Sequence, residues 1–255
     1  MPWSRVLGIS VQYDQHNGDI MNPMSDYPSP IVEMELPVPW GRRSIWIPRN
    51  ERMRYDNIFV KREYDIPPNL LPSMPLTVVD IGANNGLFAL FMKSLRADST
   101  IICFEPVPQT LELLRKNING HDGIQVYDYA LSDHSGTADI HLHPANTGEN
   151  SLKSDRRPGG RSIAVQLMDA ASAFERLGLT YVDVLKIDTE GCEVEILASL
   201  QERLPYVGIV MAEYHTEHDR RHIDQLLPGH TLWGARIETI QVGVVKYINN
   251  RLLQP

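Results

Sequence analysis

One stretch decides the fold of this chain: LTVVDIGANNG, from Leu76 to Gly86. Its first residues form a nearly continuous apolar run, which is typical of a strand buried on both faces. The glycines that follow let the backbone turn sharply and approach a ligand closely, and the apolar residues of Leu87–Leu95 then recur at helical spacing. A strand, a glycine turn and a helix in this order predict a ligand site at the helix N-terminus.

Strand-like and helix-like patterns continue to alternate after this stretch. Further core strands are predicted at 101–104, 124–129, 182–187 and 207–212, with the last strands supplied by the tail through 242–248. This alternation predicts an α/β fold with a parallel sheet. The segments 137–142 and 162–167 alternate apolar and polar residues instead, so we expect a hairpin-like excursion there rather than a central strand.

The residues before Leu76 differ from the rest of the chain in composition and in apolar pattern. Eleven of the eighteen prolines lie there, which excludes long helices. Alternating apolar residues from Val32 to Val38 and the run Ile45-Trp46-Ile47 predict short, irregular strands. We therefore divide the 255-residue chain into a proline-rich N-terminal arm or cap at residues 1–75 and one α/β domain at residues 76–255.

Composition narrows the functional class. The formal net charge of −8 argues against a general polyanion binder, so nucleic acid is not an expected partner. The sequence contains neither a signal-peptide core nor an uncharged apolar run long enough to span a bilayer, so we expect no membrane partner. Two cysteines are too few for a disulfide framework and fit a reducing cytoplasm, the expected location.

The glycine turn differs from the dinucleotide fingerprint G-x-G-x-x-G. Position 84 is Asn, where that fingerprint needs a glycine for close approach of a pyrophosphate. Asp80, directly before the turn, also suits a cationic or ammonium-bearing ligand better than a diphosphate. These two departures favour S-adenosylmethionine over NAD and disfavour an NAD-linked oxidoreductase.

An acidic residue closes the next predicted strand. Glu105, in Phe104-Glu105-Pro106, lies nineteen residues after Gly86 (105 − 86). A carboxylate at this spacing can accept hydrogen bonds from both hydroxyls of a ribose, as in other nucleotide-binding βαβ units. The glycine turn and Glu105 together predict a site for an adenosine-bearing ligand.

Several longer stretches of the sequence are informative about the family. Beside VDIGANNG, the chain carries FEPVPQTLELLRKNI (104–118), YDYALSD (127–133), ENSL (149–152) and VDVLKIDTEGCEVEIL (182–197). These stretches resemble the FkbM family of class I S-adenosylmethionine-dependent methyltransferases, and the likeness runs from about Leu76 to His215. The first seventy or so residues lie outside it.

The resemblance implies a Rossmann-like seven-stranded sheet, with S-adenosylmethionine as methyl donor and S-adenosylhomocysteine as product. It also implies methylation of a hydroxyl on a sugar or polyketide-like small molecule, the expected partner. Carried over position by position, the cofactor-binding residues are Asp80, Gly82, Asn84 and Gly86 on the loop, Glu105 at the ribose, Ser132 and Asp133 near adenine, and Asp188 in the crevice.

Methyl transfer to oxygen requires a group that removes the hydroxyl proton. The candidates are His215, Asp188 and Glu213, with Glu190 nearby in the sequence KIDTEG. We prefer His215 or Asp188, because imidazole has an ordinary pKa of about 6.5, whereas an aspartate needs help from burial or a metal. Lys186, between apolar residues, is expected to pair with a carboxylate.

No spacing in the sequence specifies a metal site. Asp188, Glu190, Glu213 and His215 could supply ligands to magnesium, but magnesium is not indicated, and we predict no metal. The spacing of His215, His218 and His222 is typical of solvated or packed histidines on a helix rather than of zinc ligands.

Two questions stay open between alternatives. The absence of an Asn/Asp-Pro-Pro-aromatic loop after the fourth strand, where the chain reads Asp188-Thr189-Glu190-Gly191, favours oxygen over nitrogen as acceptor. An N-methyltransferase of a small molecule and a non-catalytic S-adenosylmethionine-binding module remain the alternatives. The sequence also leaves open a homodimer.

The acceptor pocket should involve the arm and the polar loop 144–160. We predict that Trp40, Trp46 or Tyr55 lines it.

Overall fold

The structure, a computed structural model, describes residues 29–39, 41–72, 74–153 and 161–253. The strands are β1 Ile31–Val38, β2 Gly41–Pro48, β3 Thr77–Ile81, β4 Thr100–Phe104, β5 Ile124–Tyr127, β6 Ala130–Ser132, β7 Gly136–His141, β8 Ser162–Asp169, β9 Val182–Ile187, β10 Val207–Tyr214, β11 His230–Ile237 and β12 Gly243–Asn249. The α-helices are α1 Arg52–Tyr55, α2 Leu87–Leu95, α3 Pro108–Ile118, α4 Ala170–Arg176, α5 Glu193–Ser199 and α6 Glu217–Leu226.

Seven strands form the central sheet in the order β11-β12-β10-β9-β3-β4-β5. All neighbouring pairs are parallel except the two made by β12, which runs antiparallel to β10 and β11. The chain runs outward from β3 through β4 to β5 and then resumes on the other side of β3 with β9. This order confirms the predicted Rossmann-like seven-stranded sheet, and the β3/β9 boundary is its topological switch point.

The central strands are apolar throughout because both faces of the sheet are covered. Val79 and Leu185 belong to one buried cluster, whereas Val78 and Val184 belong to another. Neighbouring residues therefore point to opposite faces, as the two-residue period of a strand requires.

A smaller three-stranded sheet, in the order β6-β8-β7, stands beside the central one. Strands β7 and β8 pair antiparallel, with Ile140 opposite Ile163, which confirms the predicted excursion. Strand β5 ends at Tyr127, two residues before its predicted end, because the chain leaves the central sheet there and begins β6 at Ala130.

The described part of the arm packs directly on the sheet. Strands β1 and β2 form an eight-residue antiparallel hairpin with Val38 opposite Gly41, which is more regular than predicted. Its side chains of Leu36, Ile45 and Ile47 are buried in the same cluster as α2. The hairpin leads through a 3₁₀ turn, Arg49–Glu51, into α1 and a π-helical turn, Asp56–Val60.

The longest helix among the described residues is α3, with 11 residues. None of the helices in these ranges has the length and apolar character needed to cross a membrane.

Candidate active site

The site lies where the carboxyl ends of β3 and β9 meet. The backbone N–H of Asp188 donates to the carbonyl of Ile81 at 3.1 Å, which joins the two strand ends. Gly82 follows with a φ of +76°, and a Cβ there would overlap the carbonyl oxygen of Asp188 and lie 2.9 Å from its carbonyl carbon. Only glycine lets the loop pass this close to β9, and a cavity opens on each side of the crossing.

The first cavity, which we call the cofactor-side cavity, has mainly apolar walls. Its apolar lining includes Ile81, Phe104, Val107, Leu131, Ile140 and Leu152. Glu105 is the acidic side chain that enters from the end of β4. Such a lining suits the flat apolar face of a purine together with a ribose at Glu105.

Glu105 is held by the loop that it faces. Its carboxylate accepts from the backbone N–H of Asn84 at 2.9 Å and from that of Val107 at 3.0 Å. Burial disfavours the charged form and outweighs these two hydrogen bonds, so the pKa of Glu105 rises to about 7. Additional donors, such as ribose hydroxyls, would therefore stabilise the carboxylate.

Asn84 supplies an independent sign that a ligand belongs here. It adopts the left-handed conformation, with φ of +49°, which asparagine tolerates better than most residues. Its side-chain oxygen and nitrogen are both buried, without a hydrogen-bond partner in the described part of the chain, and the residue lines both cavities. Buried polar atoms are normally satisfied, so Asn84 and Glu105 together fit the polar groups of S-adenosylmethionine.

Asp80 has a different position from the one predicted. It is completely buried and lies outside the lining of both cavities formed by the described residues. Its Oδ1 lies 3.1 Å from the Nζ of Lys186, and Lys186 donates to the carbonyl of Gly82 at 2.7 Å. Asp80 therefore supports the loop through Lys186 rather than by direct contact, and the predicted pairing of Lys186 is confirmed.

Three further predicted cofactor residues also lie outside these linings. Gly86, with a φ of +82°, begins α2 and packs against Leu114 and Ile118 of α3. Ser132 donates to Asp133, whose half-exposed carboxylate lies 2.6 Å from the Nδ1 of His134. The side chain of Asp133 therefore pairs with an exposed histidine and does not line either cavity.

The two residues just before this pair do line a cavity. Ala130 and Leu131, at the start of β6, line the cofactor-side cavity.

The second cavity, which we call the acceptor-side cavity, collects charged side chains from distant parts of the chain. Its walls come from the stretches 50–64, 82–88, 146–149, 186–190, 213–215 and 236–242. It shares Arg54, Gly82, Asn84, Asp188 and Glu190 with the cofactor-side cavity. The two spaces therefore meet at the switch point, beside the carboxylate of Asp188.

His215 follows β10 and is almost fully buried among carboxylates. Its Nε2 lies 3.1 Å from Glu190 and 3.6 Å from Glu213, and its Nδ1 lies 3.7 Å from Glu193. Burial lowers the pKa of His215, but hydrogen bonds to Glu190 and Glu193 outweigh it and raise the pKa to about 11. This raised pKa favours the imidazolium form near neutral pH and argues against His215 as the proton acceptor, so its predicted role as a base stays a prediction.

The pKa values of Asp188 and Glu213 shift in opposite directions. Burial acts to raise the pKa of Asp188, but Lys186, a hydrogen bond from Glu213 and the charge of Arg54 outweigh it and hold the pKa well below its usual value. Burial and the neighbouring charge of Asp188 raise the pKa of Glu213 well above its ordinary value. These opposite shifts favour an ionised Asp188 beside a neutral Glu213.

Sequence reasoning missed several residues of the acceptor side. Glu51 and Arg54 come from the arm, where no motif marks them. Glu193, the second partner of His215, lies within the stretch VDVLKIDTEGCEVEIL and could have been found there.

The predicted aromatic lining also differs. Trp40 lies outside the described residues. Trp46 faces α3, with the Nζ of Lys116 4.0 Å from its ring centre, and Tyr55 is buried against Phe59. Neither is part of the two linings described above. Tyr64 and Phe88, in an edge-to-face pair, line the acceptor-side cavity instead.

One group of side chains has the geometry of a metal site. The ligand atoms of Glu190, Glu213 and His215 all lie within 4.8 Å of one another. The internal ion pairs of His215 use the same atoms, so the group is also complete without an ion.

Comparison with known proteins places the chain in a family. Residues 80–236, more than half of the chain, match the Methyltransferase FkbM domain family. The chain is 30% identical over 179 residues to methyltransferase sdnD of Sordaria araneosa, which covers 58% of this chain and 68% of that protein.

Two other relatives have similar sequence identity and coverage. Methyltransferase 1 of Beauveria bassiana is 26% identical over 168 residues, covering 58% of this chain and 66% of that protein. The 2-O-methyltransferase NoeI of Sinorhizobium fredii is 27% identical over 163 residues, covering 57% and 66%. The matches thus span about two thirds of these relatives. With its seven-stranded sheet and the Gly82–Glu105 pocket, this chain belongs to the FkbM family of S-adenosylmethionine-dependent methyltransferases.

Proposed function

We propose that this protein is an O-methyltransferase that transfers a methyl group from S-adenosylmethionine to a hydroxyl of a small natural product or sugar. The observation that carries the proposal is the meeting of the two cavities at Gly82, Asn84 and Asp188. An adenosine-sized ligand on one side and an acceptor on the other would meet at that junction. The name of the relative NoeI, a 2-O-methyltransferase, supports oxygen as the acceptor atom.

Glu105, Asn84 and the Gly82 turn would hold the cofactor. Glu105 accepts the ribose hydroxyls, while the buried amide of Asn84 gains the partners that it lacks. When bound, S-adenosylmethionine supplies an electrophilic methyl group. The protein must then orient an acceptor oxygen towards the junction and provide a place for its proton.

Asp188 is the best placed proton acceptor. It is ionised, it lines both cavities, and Arg54 and Lys186 keep it in place, with each cationic nitrogen 3.6 Å from Oδ2. A carboxylate is a weak base, but an alcohol oxygen becomes strongly acidic as its new bond to carbon forms. Glu213 supports Asp188 by donating its proton, and the His215 imidazolium holds Glu190 and Glu193 beside the pair.

The proposal also assigns different roles to the N-terminal arm and to the α/β domain. Residues 76–255 form the cofactor-binding domain, and residues 1–75 are the N-terminal arm, whose described part from Asn50 to Tyr64 closes the acceptor side. The contribution of Glu51, Arg54 and Tyr64 to that cavity supports this division. Magnesium has no required role in it, and a small-molecule acceptor is the expected partner.

The direct test is product analysis. The protein is incubated with S-adenosylmethionine carrying a deuterated methyl group and with a pool of sugars and polyketide-like alcohols. We expect one product with one added methyl by mass spectrometry, attached to oxygen by NMR. A methyl on nitrogen, or binding of S-adenosylhomocysteine without turnover of any pool member, would contradict the proposal.

A second test addresses Asp188. Asp188→Asn keeps the shape but loses the charge, so we expect turnover to fall by about 100-fold, within the usual range for removal of a catalytic base. Binding of S-adenosylhomocysteine should change little. Asp139→Asn, at an exposed position on β7, is the matched control and should keep full turnover. Equal turnover in both variants would exclude Asp188 as the proton acceptor.

A further inference from the structure

We propose that Arg54 of the arm binds the acceptor directly, and that the acceptor is a neutral molecule with two neighbouring hydroxyl groups. The inference rests on the proposed function, because it assigns a residue and an acceptor class to the same reaction. Arg54 lies before the region that matches the FkbM family, residues 80–236.

The position of Arg54 is the first support. Its side chain lines both cavities and lies at their junction. The Nη1 atom lies 3.6 Å from the Oδ2 of Asp188, and the side chain is 25% exposed. A group bound by Arg54 would therefore lie next to the carboxylate that is proposed to accept the proton.

The fixed conformation of Arg54 is the second support. Gly148 lies against its guanidinium group: a Cβ at Gly148 would overlap Nη2 and lie 2.5 Å from Cζ. The preceding residue, Thr147, is anchored to Glu51, whose buried carboxylate accepts from its backbone N–H at 2.8 Å and from its hydroxyl at 2.5 Å. The arm and the 147–149 loop thus hold the guanidinium between them.

The unused donors of Arg54 are the third support. A guanidinium carries five N–H donors in a planar fork. Within the described ranges, the one ion pair of Arg54 is the contact with Asp188, which is longer than a normal hydrogen bond. A planar fork with free donors matches two oxygen atoms on adjacent carbons, as in a vicinal diol.

The charges of the acceptor-side cavity argue for a neutral acceptor. Seven acidic side chains line it, of which all but Glu213 are expected to be charged: Glu51, Glu63, Glu149, Asp188, Glu190, Glu213 and Glu238. The cations along the same walls are Arg54, Lys186, Arg236 and His215. Lys186 and His215 have carboxylate partners, as does Arg236, 2.7 Å from Glu63. An anionic acceptor would meet an excess of negative charge, whereas hydroxyls find many acceptors and the donors of Arg54.

The test compares acceptors and variants in one assay. Methyl transfer is measured on a panel of neutral methyl hexopyranosides and on the matching methyl hexuronides. The variants are Arg54→Ala, Arg54→Lys and Gly148→Ala, with Arg42→Ala as control, because Arg42 is an exposed arginine of the same arm paired with Glu35. Binding of S-adenosylhomocysteine and the thermal midpoint are measured for each.

We expect the wild-type protein to methylate a neutral glycoside and to prefer it to its hexuronide. Arg54→Ala should raise the KM for the best glycoside at least tenfold, with less than a twofold change in affinity for S-adenosylhomocysteine. Arg54→Lys should fall between, because lysine keeps the charge without the fork. Gly148→Ala should also raise this KM, since its Cβ would displace the guanidinium, but it should weaken binding of S-adenosylhomocysteine as well, because that Cβ would lie 2.9 Å from the Nδ2 of Asn84. Arg42→Ala should resemble wild type.

Four results would overturn the inference. Preference for the hexuronide, or no turnover of any neutral glycoside, would reject the acceptor class. An unchanged KM in Arg54→Ala would reject the residue. A parallel loss of cofactor affinity and thermal stability in that variant would assign it a structural role. The proposed function fails separately, when the unmodified protein methylates nitrogen or does not bind S-adenosylhomocysteine.

Discussion

The two cavities are built on opposite principles although they share a wall. The cofactor-side cavity has apolar walls and a carboxylate, Glu105, held by backbone N–H groups of its own neighbourhood. The acceptor-side cavity is surrounded by charged side chains from the arm, from the ends of β9 and β10 and from the turn after β11. The walls of the first are mainly apolar, whereas the second contains a long-range network of ion pairs.

This difference separates binding from turnover. Backbone groups and a single carboxylate can hold the cofactor whatever the acceptor is. In the charged network, each group sets the protonation of the next, as Asp188 does for Glu213. We therefore expect changes on the cofactor side to alter affinity for S-adenosylhomocysteine, and changes in the network to alter stability and turnover.

The largest loss of stability should follow from removing Lys186, which contacts Gly82 and Asp188, two residues that line both cavities. Lys186→Met removes the cation 3.1 Å from Asp80 and 3.6 Å from Asp188 and leaves two buried carboxylates without it. Loss of one partner of a buried pair costs about 3–5 kcal/mol. Urea denaturation at neutral pH should show a loss of this size, whereas Lys116→Met, at an exposed position on α3, should lose only about 0.5–1 kcal/mol from its contact with the Trp46 ring.

The same variant has a defined pH dependence. Without Lys186, the buried carboxylate of Asp80 has a folded-state pKa further above its unfolded value, so protonation relieves the penalty. The deficit relative to wild type should shrink as the pH falls from 8 to 5.5. A deficit that stays constant across this range would show that Lys186 acts by packing and not by charge.

A smaller effect should follow from removing the carboxylate of the cofactor side. Glu105→Ala deletes the group proposed to accept the ribose hydroxyls. Hydrogen bonds to a charged group contribute about 1.5–3 kcal/mol, so affinity for S-adenosylhomocysteine should fall by about 10- to 150-fold in calorimetry. Glu112→Ala, on the exposed face of α3, should bind as wild type does. Equal affinity in both variants would place the ribose elsewhere.

Affinity for the cofactor should also depend on pH. Free Glu105 has its pKa raised to about 7 by burial, and the ligand's hydroxyls favour its ionised form. Binding therefore lowers that pKa and releases a proton below neutrality. Affinity should be constant above about pH 8 and should fall by up to about tenfold per pH unit below 7. In Glu105→Gln this slope should vanish; its persistence would assign the titration to another group.

The smallest expected effect is that of metal removal. His215 already neutralises Glu190, 3.1 Å away, so the group Glu190, Glu213 and His215 is electrostatically satisfied without an ion. Turnover measured after treatment with EDTA, and again after addition of magnesium, should remain unchanged. Loss with EDTA and recovery with magnesium or manganese would instead assign a metal to this group.

The central sheet and the cofactor loop could be predicted because their signals are local. The apolar run of β3, the glycine at position 82 and the acidic residue after β4 are neighbours in the chain, and a βαβ unit brings them together in a fixed way. The family and the fold predicted from them are confirmed. The roles of individual residues within the pocket remain proposals.

The surroundings of individual side chains could not be predicted from the sequence. The ordinary pKa of imidazole favours His215 as a base, but three glutamates from α5, β10 and the turn before α5 surround it. Asp80 precedes the loop in sequence, yet its side chain points to Lys186. Asp133 follows β6 but pairs with His134 at the surface. In each case the chemistry of the side chain is set by partners that sequence spacing does not reveal.

The sequence by itself therefore determined the sheet, the glycine turn and the acidic residue at the end of β4, because backbone conformation and apolar periodicity are properties of adjacent residues. Only the tertiary structure decided that Arg54 and Glu51 enter the site and that the pKa values of Glu213 and His215 are raised. Contacts between residues 54 and 188, or 51 and 147, join parts of the chain far apart in sequence. Burial and neighbouring charges shift a pKa according to distances in space, and those distances exist only once the chain has folded.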